Sequence, residues 1–167
     1  MRGSKGLGKV TLAALLAGWF FLGATGPACA GLGGDAGSVE SDALATGGQL
    51  APSDAPLAEA ATAAPYQVKS FVTGSGVTVR EYAAPSGAIF GVAWRGRRPP
   101  DLSVLLGAYY PEYLSASALK RHKDLRRAMI VGPNATVMLA GHMGLAFGRA
   151  FVSRLAPAGV NPQAVVK

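Results

Sequence analysis

A chain of 167 residues, half of them hydrophobic and 15% charged, has the length of one ordinary domain with some chain to spare. Its net charge is +7, and its single cysteine, Cys29, excludes an intramolecular disulfide framework. The fold must be held by packing alone, which a core of about 100 residues can supply.

Residues 1–30 read as an export signal. Arg2, Lys5 and Lys9 are followed by an uncharged apolar run from Val10 to Ala24 and by the small-x-small end Ala28-Cys29-Ala30. Gly26 and Pro27 break the helix ahead of that end, so the chain can be presented extended for cleavage after Ala30. An uncleaved anchor needs about 20 apolar residues, and Gly26 and Pro27 make the second half of this stretch a poor helix. A lipid anchor on Cys29 needs a Leu-like residue three positions earlier, where Gly26 stands. The expected address is periplasmic or secreted, in a bacterial setting. Contact with the membrane is expected only through the signal before cleavage, which also removes the cysteine and with it any thiolate nucleophile or thiolate metal site.

Residues 31–65 are rich in Gly, Ala, Ser, Asp and Pro and carry Asp35, Glu40, Asp42, Asp54 and Glu59 without a Lys or Arg. Such a segment buries too little apolar surface to offset chain entropy. It reads as a flexible acidic linker with a helical turn around Ser38–Leu44. Gly31, Gly33 and Gly34 follow no strand, so they do not form a dinucleotide fingerprint. Beyond the linker, residues 66–167 form a basic domain.

From Tyr66 the pattern acquires period two. Tyr66, Val68 and Val72 alternate with polar residues, Gly74-Ser75-Gly76 turns the chain, and Val77 and Val79 alternate with Thr78 and Arg80. Pro85-Ser86-Gly87 makes a second turn. Ile89–Trp94 is apolar on both faces and is expected to be the most buried strand. These three strands form an antiparallel meander.

Asp101 is a good N-cap. Leu102, Leu105, Leu106, Tyr109 and Tyr113 follow at helical spacing, predicting a helix over 101–118 that lays one face on the sheet, with Pro111 kinking it or opening a second turn. Three further strands are predicted at Ala128–Val131, Thr136–Ala140 and Met143–Val152, the last two joined by a turn at Gly141-His142. Asn161-Pro162 starts a short helix, with Asn as cap and Pro at the first position. The fold class is α+β: a three-strand meander, one helix packed on the sheet, then three more strands.

Two basic clusters are the local signals for binding. One is the run Lys120, Arg121, Lys123, Arg126 and Arg127. The other, Trp94-Arg95-Gly96-Arg97-Arg98, adds Arg97 and Arg98. Both suit an anionic envelope partner, and both are also accounted for as solvated charge, with Lys120 and Arg121 well placed at a helix C-terminus. Nucleic acid is not expected as a partner, because the run 120–127 lacks interleaved aromatics for base stacking. Tyr109, His142 and Arg149 are the residues that a pocket between helix and sheet would use, although helical packing explains Tyr109 equally well. No metal site is expected from His122 and His142 without an acidic or cysteine partner, and no cofactor motif is present. There is no His-Glu-x-x-His or Gly-x-Ser-x-Gly pattern. Glu81 stands beside Arg80 and Asp101 serves as a cap, which leaves no carboxylate pair for acid–base work. No catalytic residue is assigned.

The ordered motifs Val79-Arg80-Glu81-Tyr82, Pro85-Ser86-Gly87 and Phe90-Gly91-Val92-Ala93-Trp94-Arg95-Gly96 carry a resemblance. So do Pro100-Asp101-Leu102, Leu105-Leu106-Gly107, Gly141-His142-Met143, Phe147-Gly148-Arg149-Ala150 and Pro157-Ala158-Gly159-Val160. Together they make the chain similar to exported bacterial proteins grouped as "domain of unknown function 2844". The resemblance implies export and one compact domain, and it assigns no activity. The expectation is therefore a non-enzymatic envelope module that binds a partner protein or an anionic envelope component. The alternative is a small-ligand carrier or enzyme with a pocket between helix 101–118 and the sheet.

Overall fold

The computed structural model describes residues 31–50, 65–119 and 127–167. Their strands form one sheet in the order β1-β2-β3-β4-β7-β6-β5. The strands are β1 (Gln49–Leu50), β2 (Gln67–Val72), β3 (Thr78–Ala83), β4 (Ile89–Gly96), β5 (Ala128–Val131), β6 (Thr136–His142) and β7 (Leu145–Phe151). Every neighbouring pair is antiparallel. After β4 the chain crosses one face through helices, enters β5 at the far edge, and returns through β6 so that β7 lies against β4. The protein is an α+β fold built on an antiparallel sheet.

The central place of β4 explains its composition. With β3 on one side and β7 on the other, and a covered face above and below, all of Ile89–Trp94 is buried. The register slips between Tyr82 and Ala83, which pair with Gly91 and Ile89, leaving Phe90 as the extra residue of a bulge. Phe90 thereby joins Tyr82, Ala93, Phe151 and Val166 on one face, while Ile89, Val92 and Trp94 point to the other. A methyl group added to Gly91 would collide with Val166, so this glycine permits the close approach of residues 156–167.

The helices differ from the single helix expected over 101–118. Asp101 does cap the first piece, accepting from Ser103 N at 2.8 Å. That helix, Leu102–Leu106, ends where Gly107 adopts φ 48° and ψ −124°. A 3-10 turn at Gly107–Tyr109 leads into a second helix, Tyr110–Ala118, with Pro111 in its first turn, where a missing N–H costs nothing. The break therefore comes from the glycine, not the proline. The hairpin between β6 and β7 also turns later than expected, at Met143-Gly144, with Gly144 at φ 81°.

The larger correction concerns residues 31–50, read from composition as linker. They are part of the fold. Leu32 and Val39 are each 1% exposed and belong to the same core as Leu105, Leu106 and Val79. Leu32 N donates to Leu105 O at 2.9 Å, Gly33 N to Ile89 O at 2.8 Å, and Ile89 N to Gly34 O at 2.9 Å. Asp35 caps a short turn that runs into a helix at Val39–Ala45. The few apolar residues of this segment suffice because the sheet and helix supply the other half of the contact. Its glycines serve close backbone approach: a Cβ on Gly31 would collide with Val104 O. Residues 51–64 of the expected linker, like the signal at 1–30, lie outside the described residues.

In chain order the helices are α1 (Val39–Ala45), α2 (Leu102–Leu106), α3 (Tyr110–Ala118) and α4 (Pro162–Val165). The first three cover one face of the sheet. The segment carrying α4 covers part of the other, beside Tyr82, Phe90 and Phe151.

Candidate functional site: a basic concave face

Strand register brings a set of side chains together on the face opposite α1–α3. Ser70, Arg80, Ala93, Arg149, Met138 and Met129 are successive cross-strand partners from β2 to β5. One row along lie Thr78, Arg95, Phe147 and Ala140. Residues in such rows share a face, with strands about 4.8 Å apart. The small side chains of Ala93 and Ala140 leave a hollow of about 880 Å³ between the larger ones.

Five cations surround this hollow: Arg80, Arg95, Arg127, Arg149 and Lys167. Its lining among the described residues includes no Asp or Glu side chain. The floor is apolar, with Phe147 42% exposed and Met129 45% exposed. Arg149 is held in place: Nη1 donates to Val166 O at 2.9 Å and Gln163 O at 3.0 Å, and Nε faces Met138 Sδ at 3.3 Å. It thus joins β7 to the end of α4. Tyr82 anchors the same segment, its hydroxyl donating to Lys167 O at 2.9 Å and accepting from Lys167 N at 3.0 Å. This clamp brings Lys167 to the rim.

The residues singled out from sequence fall in different places. Arg127 and Arg149 line the hollow. Arg97 and Arg98 are exposed beyond the end of β4 and are absent from its lining. Lys120, Arg121, Lys123 and Arg126 lie outside the described residues. Tyr109 packs on the helical side, where its hydroxyl accepts from Arg154 Nη2 at 3.0 Å. His142 sits exposed at the end of β6, its Nδ1 3.1 Å from Met143 O. Tyr109 and Arg149 are therefore on opposite faces of the sheet. The layer between helices and sheet is filled by Leu105, Leu106, Ile130 and Val137, all buried. The hollow lies on the other side.

Sequence reasoning missed Arg80, Arg95 and Lys167 as partners in one site. Arg80 shares the parity of Thr78 and Tyr82, so its facing is legible. Its neighbours across β4 and β7 are not, because they depend on which strand returns beside β4.

It also missed an acid pair. Val77, Val79 and Glu81 share one parity, which aims Glu81 into the core under α1, where it is 1% exposed. Asp42, from α1, is 2% exposed and meets it there. No N–H or O–H group among the described residues donates to either oxygen of Glu81. Two carboxyl groups in contact both accept, so their hydrogen bond needs a proton between them. Burial first, then the Asp42 charge and the hydrogen bond to Asp42, push the Glu81 carboxyl up to about 8 from 4.5, with Lys69 pulling the other way. Lys69 stands opposite Glu81 on β2, and its Nζ donates to Ala36 O at 2.7 Å. This pair faces away from the hollow and ties α1 to β3.

Among the described residues no cluster of three His, Cys, Asp or Glu could hold a metal ion. Nor is any helix among them long and apolar enough to cross a membrane.

A family model described as a protein of unknown function, DUF2844, matches residues 28–165. The chain belongs to the DUF2844 family. That match spans every strand of the sheet and runs from the segment before α1 to the end of α4. The DUF2844 assignment carries no activity. No curated protein and no solved structure matches the chain.

Proposed function

We propose that this DUF2844 protein is an exported, non-enzymatic binding module of the bacterial envelope, and that its basic concave face binds an anionic envelope component. One observation carries the reading: five cations converge on a hollow whose lining, among the described residues, has no acidic side chain. Like charges gathered without neutralising partners repel one another, and an anion relieves that repulsion. The export pattern at Met1–Ala30 supports an address outside the cytoplasm. The hollow is built on paired strands, β3, β4, β7 and β6, whose backbone hydrogen bonds hold its lining side chains in register.

Co-sedimentation of the processed chain, residues 31–167, with lipid vesicles tests this, since the apolar run in residues 1–30 would itself enter a bilayer. Vesicles containing phosphatidylglycerol should retain the protein at low ionic strength and release it as salt screens the charges. Vesicles of phosphatidylcholine alone should not retain it. Equal retention by both, or retention indifferent to salt, contradicts the proposal.

A further inference from the structure

The hollow is divided. On β3 and β4 its side chains are Arg80 and Arg95. On β7, β6 and β5 they are the apolar Phe147, Met138 and Met129, together with Arg149, whose guanidinium is already engaged by Val166 O and Gln163 O, and Arg127 just before β5. Arg80 pairs with Ala93 and Arg95 with Thr78, which makes the two arginines diagonal neighbours, within the spacing that long side chains span. From β4 to β5 is three strand spacings, roughly 14 Å, floored by thioether and aromatic side chains that adapt to a flexible chain. The volume of about 880 Å³ falls in the range of small-molecule sites.

We infer that the ligand is a single long-chain fatty acid, its carboxylate held between Arg80 and Arg95 and its alkyl chain lying across Phe147 and Met138 towards Met129. A guanidinium fork matches a carboxylate in geometry as well as charge. An inorganic anion uses only the arginines and leaves the apolar floor in water. A neutral lipid uses only the floor. A fatty acid satisfies both halves. This inference rests on the anion-binding reading and narrows it to one class of ligand.

Calorimetric titration of the processed chain, residues 31–167, with palmitate, inorganic phosphate and phosphatidylglycerol vesicles separates the two levels. Palmitate should saturate at one per chain and bind at least about tenfold more tightly than phosphate, since each buried methylene adds about 0.8 kcal/mol. The double variant Arg80→Gln, Arg95→Gln should weaken palmitate about tenfold or more. Phe147→Ser and Met129→Ser, at positions already half exposed, should weaken palmitate and leave phosphate unchanged. Arg97→Gln with Arg98→Gln should alter neither. Palmitate binding no tighter than phosphate, with vesicle binding intact, overturns the fatty-acid inference and leaves the anion-binding reading standing. No binding of palmitate, phosphate or vesicles overturns both. Palmitate binding undiminished in the arginine variant and in the two serine variants overturns the site.

Discussion

Replacing Glu81 by glutamine should abolish a large loss of stability on the alkaline side. In the fold Glu81 holds its proton to about pH 8, against an ordinary 4.5. Between those values the folded chain binds more protons than the unfolded one. Stability contributed by the protonated pair is therefore complete below 4.5, falls as pH rises towards 8, and levels off above it. At 1.36 kcal/mol per pH unit the difference is about 5 kcal/mol, comparable to the whole stability of a small domain. Glutamine keeps the size of the side chain and supplies N–H donors to Asp42 with no proton to lose. Urea unfolding from about pH 5 to about pH 9 should thus show a midpoint that drops steeply in the native protein and stays nearly level in Glu81→Gln. Above pH 8 the variant should be the more stable of the two. Parallel curves would refute a shared proton between Asp42 and Glu81.

Other predictions concern how the elements are held. Leu32→Ala should cost about 2–5 kcal/mol in denaturant unfolding, because Leu32 is a buried core residue; a linker residue would cost nothing. Glu112 on α3 accepts from Asn134 N, Ala135 N and Asn134 Nδ2 at 2.8–3.1 Å, tying the helix to the turn before β6. Glu112→Ala should cost about 1 kcal/mol at neutral pH. Burial works against ionisation of Glu112, but those donors outweigh it and lower its pKa, so the loss should shrink in acid as the native carboxyl protonates. Gly91→Ala should collide with Val166 and loosen residues 156–167, seen as faster cleavage after Arg154 by trypsin and a loss of about 1–3 kcal/mol.

Local chemistry made part of this fold legible. Alternation placed β2 and β3, the unbroken apolar run placed β4 at the centre, and Asp101 and Asn161-Pro162 marked helix starts that their side chains do cap. What failed was composition as a guide to residues 31–50. Glycine-rich composition predicts solvated chain, whereas here Gly31 lets the backbone meet α2 closely enough to bury Leu32. The acid pair was half legible: Glu81 stood in an apolar register, but its partner lies on a segment judged to be linker. The concave face was least legible. Basic runs in the sequence drew attention to consecutive charges, while the face collects single arginines from β3, β4 and β7, strands joined by long-range pairing.

Methionine methyl resonances of the isotope-labelled full chain test the central claim most directly. Met129 and Met138 lie in the concave face, and Met143, 98% exposed at the tip of the β6–β7 hairpin, is an internal control. On titration with palmitate, the account predicts saturable shifts at Met129 and Met138 with Met143 unmoved. Shifts at Met143 alone, equal shifts at all three, or none at all, would contradict it.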